Sequence, residues 1–490
     1  MRKRRKKKQQ TILPLSIDEL EQVLKKELQS FPDLMFSKYE HHGQTFAVIC
    51  IPYMIQSDAL ENSLLDPLLT NDKQWTYDDL LNEIPLGGGR LTTSLDEILN
   101  SLLFGDVFIY IENETEIISY PLLDKEKRAL EKAETESIVL GPKISFTESL
   151  MTNLNIIRGR IRSNDLVIEE YTIGSIVPSS IRLVYMKSIA NDKDVQTMRQ
   201  RLQSLDVKEI EDSVVLKQHI EDSQFSFFAQ FDSTELPDRF AYAVTKGKVG
   251  VLVENSPTGI IGPSTLFSLL ESTEDLYMRW GSGSILRLLR FFAAFFSIII
   301  TAIYVAVVTY HYSFIPTQLL ITIGQSRAAV PFPPLLEALI LEFMIELLRE
   351  AGARLPTKVG QTMGIVGGIV IGQAAVAAGL TSNILIIIVA MSALASFTIP
   401  NYLLSTSIRL MRFPFIILAG FLGILGVMYG LCLLMIHLLR MKSLGHPYLL
   451  PLYPLHIRDF NKVFFRLPFR YSDHVVKFYR PKRSRLKTRS

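Results

Sequence analysis

Two hydropathy regimes divide the 490-residue chain. From about residue 15 to 280, short apolar runs alternate with polar turns and charged helical stretches, the pattern of a soluble α/β protein. FAVICIPYMI (46–55) reads as a strand, SLDEILNSLLFG (94–105) as a helix, and DVFIYI and EIISYPL flank the polar turn ENET as a β-hairpin. The hydrophilic stretch DKEKRALEKAETES (124–137) then separates a second unit, with apolar runs LVIEEYTI and SIRLVYM, a charged helical segment from Asn191 to about Asp222, and a strand at VGVLVEN. Two α/β subdomains are expected, at 15–135 and 136–285.

The pattern changes at Arg287 and Arg290. LLRFFAAFFSIIITAIYVAVVTY (288–310) is long enough to cross about 30 Å of hydrocarbon at about 1.5 Å per residue. MGIVGGIVIGQAAVAAGL (363–380) and ILIIIVAMSALASF (384–397) follow around the turn-like TSN, and FPFIILAGFLGILGVMYGLCLLMIHLL (413–439) reads as one last span. An α-helical polytopic membrane domain over 286–440, with about four spans, is the expectation. A basic tail, 441–490, closes the chain: from Arg440 onward there are 13 Lys and Arg against two acids, a bias that the positive-inside rule assigns to the cytoplasm. Residues 1–14 form a basic tail of their own, with seven basic side chains in MRKRRKKK and no apolar core of signal-peptide length after them. It reads as a solvated tail or as a contact for anionic lipid headgroups. The α/β region, followed by Arg279, Arg287 and Arg290, is expected on the same side as the C-terminal tail, which requires an even number of crossings.

Composition agrees with two halves: 48% hydrophobic residues are too many for an ordinary soluble protein, and 21% charged too many for an all-membrane one. The net charge of +3 is not that of a nucleic-acid binder. Cys50 and Cys432 lie too far apart in sequence to suggest a disulfide framework or metal spacing. PLGGGRL (85–91) lacks the Lys-Ser/Thr that would reach phosphates, so it reads as a turn. His41 and His42, adjacent in a strand, are expected on opposite faces. No nucleophile–base set stands out. A non-enzymatic protein without metal or cofactor is the resulting expectation.

PFPPLLEALILEFMIELLREAGARLP (331–356) sets carboxylates among leucines and isoleucines. Its apolar run, bounded by prolines, is short for a span, and a shallow amphipathic or re-entrant helix at 334–350 is expected. At about 100° per residue Glu342 and Glu346 share a face with Glu350, while Glu337 stands apart. The stripe either pairs with Arg349 and Arg354 and faces headgroup water, or lines a cation path if several copies surround an axis. Gly360, Gly364, Gly368 and Gly372 form overlapping GxxxG motifs, a helix-packing ridge within or between chains, with Gln373 next to it as an amide seeking a partner across a helix contact. Gly420, Gly423, Gly426 and Gly430 repeat the theme less regularly.

These residues resemble a known family. PFPPLLEALILEFMIELLREAGARLP, IVGGIVIGQAAVAAG and RLMRFPFIILAGFLGILG look like the A subunit of GerA-type spore germinant receptors. So do GPKISFTESLMTNLNIIRGRIR (141–162), PDRF (237–240), GKVGVLVENSP (247–257), EDLYMRW (274–280), VTYHYSFIPTQLL (308–320) and PYLLPLYPLHIRDF, covering roughly residues 140–480. The pattern departs at Glu235-Leu236-Pro237-Asp238, near Thr301 where the family has a proline, and at Arg327-Ala328-Ala329; no role is carried over to those positions. The resemblance implies a multi-pass subunit of the spore inner membrane acting with a transporter-like B subunit and a lipoprotein C subunit. It also implies a homo-oligomer that passes cations when nutrient binds and so triggers germination; the acidic helix itself offers Glu342, Glu346 and Glu337 as ion-path candidates. The alternatives are a secondary transporter or a non-conducting scaffold subunit.

Overall fold

The structure is a computed structural model that describes residues 13–27, 33–123, 133, 136, 140–355, 368, 372–456, 459 and 463–466. Its first half holds two five-stranded antiparallel sheets. The first joins β1 (Met35–His41), β2 (Gln44–Cys50), β3 (Arg90–Thr92), β4 (Asp106–Ile111) and β5 (Ile117–Pro121) in the order β1-β2-β4-β5-β3. The second joins β6 (Leu166–Ile173), β7 (Ser179–Met186), β8 (Asp232–Thr234), β9 (Val249–Val253) and β10 (Gly259–Gly262) in the order β6-β7-β9-β10-β8. The two orders are the same, so the α/β region is one topology used twice.

Continuous apolar runs mark strands covered on both faces. In β2, Ala47 and Ile49 enter a core beneath α1 (Ile17–Glu27) and α2 (Leu95–Leu102), while Phe46, Val48 and Cys50 enter a second core on the other face. Burial pushes the Cys50 thiol up to about 12, the signature of a packing residue. The second sheet is covered likewise by α3 (Leu150–Arg160) on one face and by α4 (Asp192–Gln203) and α5 (Ser213–Ile220) on the other. On the first of these faces α6 (Pro237–Thr245) lays Phe240 against Gly250 and Gly259, where a Cβ would meet its ring at 2.2 and 2.6 Å.

The helical half contains α7 (Trp280–Tyr310), α8 (Thr317–Arg327), α9 (Pro334–Arg354), α10 (Gly372–Ala377), α11 (Asn383–Phe397), α12 (Tyr402–Leu422) and α13 (Ile424–Arg440). Among the described residues, α7 and α12 are the two helices long and apolar enough to cross a membrane, with α11 and α13 as shorter apolar helices. Helix α7 starts eight residues before the expected span, and its first turns belong to the α/β region. Arg287 pairs with Glu271 at 3.0 Å and Asp275 at 3.3 Å, while Arg290 pairs with Asp275 and donates to the Leu270 carbonyl at 2.9 Å. Burial still holds the Glu271 carboxyl above the usual carboxylate range. Residues 291–310 remain, about 30 Å of helix.

Three expectations change. The run 413–439 is two helices: Gly423 adopts φ +62 and the chain reverses there, so α12 and α13 form a hairpin. No polar residue announces this break, because glycine supplies the left-handed turn without one. The helix at 334 extends through Arg354 and runs beside α7, α11 and α12. His42 sits in the turn after β1 at φ +49, which brings its ring to 4.3 Å from that of His41 instead of onto the opposite face.

After α13 the chain returns to the second α/β unit. Ser443 Oγ accepts from Ser264 N at 2.9 Å and donates to Gln230 O at 2.6 Å, Leu444 N donates to Asp222 at 2.8 Å, and His446 contacts Asp194 at 2.8 Å. The start of the tail and the α/β region therefore share one end of the helical bundle. The two α/β units are joined through Arg158, fully buried, which donates to Asp33, to Tyr53 Oη at 3.2 Å and to Leu166 O at 3.0 Å.

The hairpin yields a test. A Cβ on Gly426 would sit 2.0 Å from the Leu418 carbonyl oxygen, whereas one on Gly368 meets nothing within 4 Å. Gly426→Ala is expected to cost at least about 1–3 kcal/mol, the range for overpacking. Gly368→Ala should leave the melting temperature of the detergent-solubilised chain unchanged. Equal melting of Gly426→Ala and the parent would show that the hairpin is not closed at this contact.

Candidate functional site

The three glutamates occupy three environments on α9. Each is set by what the neighbouring helices bring to it.

Glu342 lies at the centre. Its side chain is 3% exposed and faces the equally buried Arg412 of α12, at 3.2 Å. Thr301 of α7 donates to the same carboxylate at 2.9 Å. Arg412 is held in turn by Ser297 Oγ at 2.6 Å and the Ser392 carbonyl at 3.0 Å, and Ser297 and Ser392 exchange hydroxyl–carbonyl bonds across α7 and α11. Four helices thus meet at one neutral pair. The small residues at 297, 301 and 392 let the helices approach and supply the donors and acceptors that a charge buried in hydrocarbon needs.

One turn later, Glu346 is 31% exposed, with Arg409 of α12 at 3.7 Å. Arg409 and Arg412 are three residues apart and Glu342 and Glu346 four, so the antiparallel helices α9 and α12 present matched charges along one seam. Arg349, a candidate partner of this stripe, lies instead over the Phe397 ring at 4.3 Å and donates to Ser396 at 3.2 Å. The pairing expected for Arg354 is present, with Glu350 at 2.6 Å on an exposed turn.

Glu337 stands at the opposite end of α9, fully buried. It accepts from Ser382 N at 2.6 Å and Thr381 Oγ1 at 3.1 Å, at the start of α11, with Arg327 at 3.5 Å. A carboxylate at a helix N-terminus meets unpaired backbone donors and the positive end of the dipole. Glu337 therefore fixes α8, α9 and α11 together. Thr301, near which the chain departs from the family pattern, makes one of these glutamate contacts.

Of the glycine ridge, Gly360 and Gly364 lie outside the described residues. Gly368 and Gly372 have open space where a Cβ would be, and Gln373 is exposed. The less regular set carries the packing within the chain: a Cβ on Gly420 would meet Leu335 of α9 at 2.7 Å, and one on Gly430 would meet Phe415 at 3.1 Å. Among the described residues, no three of His, Cys, Asp or Glu converge as a metal site requires. Arg409, Arg412, Ser297 and Ser392 were not singled out from the sequence. The signal was the spacing of RLMR against LEFMIE, which shows only once the two helices are known to be antiparallel neighbours.

Known proteins match most of the chain in sequence. A family model described as Bacillus/Clostridium GerA spore germination protein matches residues 22–477. Spore germination protein GerQA of Bacillus cereus is 44% identical over 434 residues, covering 87% of this chain and 86% of that protein. Spore germination protein KA of Bacillus subtilis (strain 168) is 36% identical over 452 residues, covering 91% and 83%. The uncharacterized membrane protein YfkQ of the same organism is 33% identical over 441 residues, covering 89% and 86%. Among solved structures, the N-terminal domain of the A subunit of the Bacillus megaterium spore germinant receptor GerK3 aligns at 23% identity with a TM-score of 0.42. It covers 53% of this chain and 99% of that one.

The central pair makes a measurable prediction. Removing one partner of a buried ion pair costs about 3–5 kcal/mol, while removing both charges together costs much less. Arg412→Gln should therefore lower the melting temperature more than the double change Glu342→Gln with Arg412→Gln. Strictly additive effects in that double-mutant cycle would mean that the two side chains do not interact.

Proposed function

The chain belongs to the Bacillus/Clostridium GerA spore germination protein family, and on that premise we propose that it is a membrane subunit of a nutrient germinant receptor. In this reading it forms a homo-oligomer in the spore inner membrane. It works with a transporter-like B subunit and a lipoprotein C subunit, and passes cations when nutrient binds. The α/β units and the basic tail face the cytoplasm. Helices α7, α11, α12 and α13 cross the bilayer, the even number that a shared side requires, with α9 packed among them as a re-entrant helix.

One observation carries the reading: the charged seam between α9 and α12, fully buried at Glu342–Arg412 and half-open at Glu346–Arg409. Desolvating two charges costs several kcal/mol per ion before their attraction offsets it, and an apolar pair would hold two helices at least as well. Such a seam suits a device with two states. Closed, Arg412 neutralises Glu342 and bars cations. Parted, the glutamates supply the negative lining that cation pathways use.

The scaffold alternative draws on the same pair, since Glu342 is fully compensated within one chain. The two readings separate in spores. Glu346→Gln removes the half-exposed charge with little structural cost and is expected to slow nutrient-triggered cation release several-fold at matched receptor level, and Glu342→Gln to alter it as well. Glu337→Gln, distant from the seam, serves as a control acting through assembly. Unchanged release from both seam variants at normal receptor level would remove the ion-path reading and leave the scaffold.

A further inference from the structure

The second α/β unit carries an aromatic loop whose exposure its own core does not explain. In the sequence Ser223-Gln224-Phe225-Ser226-Phe227-Phe228, Phe228 is buried in the core shared with the helical bundle, whereas Phe225 is 97% and Phe227 64% exposed. Large apolar side chains this exposed, two residues apart, mark a contact surface. The loop is pinned from two sides. Ser407 of α12 donates to the Phe227 carbonyl, Ser226 Oγ contacts His437 Nε2 of α13 at 3.2 Å, and the Phe228 and His437 rings are 6.0 Å apart.

Those anchors fix its depth. Ser407 lies about 7–8 Å into α12 from its first residue, and His437 about 4–5 Å before the end of α13. The loop therefore reaches past the helix ends toward the bundle centre. On the same two helices Leu410, Leu433 and Ile436 are exposed, while Arg440 and Lys442 are exposed at the end nearer the α/β units. The local acids are occupied: Glu221 accepts from Gln230 N, and Asp222 holds Arg201 and Leu444 N. Apolar helix surface, aromatic rings and exposed basic side chains follow one another in the order found at a membrane–water interface.

We propose that loop 223–228 inserts the Phe225 and Phe227 rings into the boundary between headgroups and acyl chains of the leaflet facing the α/β units. The ligand is a lipid surface, with Arg440 and Lys442 placed to meet anionic headgroups. The inference rests on the membrane reading above. It adds that the α/β region grips the bilayer directly, so that this unit and the helices are referenced to the same plane.

The test uses the full-length chain reconstituted in vesicles containing phosphatidylglycerol. Phe225→Trp introduces a reporter at a surface position, and its emission is taken as the difference from the parent chain, which keeps Trp75 and Trp280. Lipids brominated near the carbonyl end of the acyl chain should quench it at least about twofold more than lipids brominated near the methyl end, as for a ring at interface depth. Phe292→Trp, on the exposed face of α7, serves as the membrane control. Quenching of the Phe292→Trp reporter without quenching of the Phe225→Trp reporter would overturn the insertion while leaving the spans intact, the loop then facing water or protein. Quenching of neither would overturn both readings.

Discussion

The central meeting of helices in the helical half follows from the cost of a charge without a partner in a low-dielectric interior. Arg412 brings a guanidinium to the middle of α12, where water is excluded, and a cation there is tolerated only if an anion and further acceptors surround it. Glu342 is that anion, and Ser297, Thr301 and the Ser392 carbonyl complete the set. Because the partners come from four helices, satisfying one charge fixes α7, α9, α11 and α12 relative to each other. Leu335 against Gly420 then follows as the packing consequence, since a close approach of α9 to α12 at the pair needs a missing side chain further along.

The same constraint is met at the junctions. Arg158 ties the two α/β units through Asp33 and Tyr53, and Arg287 and Arg290 tie α7 to the second unit through Asp275 and Glu271. Asp232 accepts from Arg239 at 2.8 Å, which also meets Glu136 at 3.0 Å, and receives Asn401 at 3.0 Å. Burial raises the Glu136 carboxyl above its ordinary range despite that arginine. Such junctions are rigid, because shifting one side strands a charge on the other.

How much of this could be read from the sequence depends on the range of the interaction. Strands β2, β4, β5, β6, β7 and β9 were legible because alternation and apolar runs are local. Strands β3, β8 and β10 and helix α1 were not, being short, polar or edge elements whose assignment depends on neighbours. The first span was legible for the same local reason. The hairpin at Gly423 was not, because a glycine turn between two apolar helices leaves no polar mark. The glutamates announced themselves by being out of place, yet their partners did not: Arg349 and Arg354 were nearer in sequence, whereas Arg409 and Arg412 were nearer in space. Pairing across antiparallel helices is set by tertiary register, which one-dimensional spacing does not contain.

A last step joins the junctions to the seam. Asn401 caps α12 by accepting from Leu404 N while its amide donates to Asp232, so the first turn of α12 is bonded to β8 of the second α/β unit. Arg409 and Arg412 lie only two to three turns further along the same helix. A helix transmits displacement along its axis because its backbone bonds resist local change, so a shift of the second unit that carries Asn401 must also act on Arg412. Moving that guanidinium away from Glu342 loses the ion pair and the Ser297 bond before any new partner is gained, and burial makes that loss steep. In the two-state reading proposed above, the seam is either made or broken. Asp232 joins the second α/β unit to this helix, bonded both to Arg239 of the α/β core and to the cap of α12.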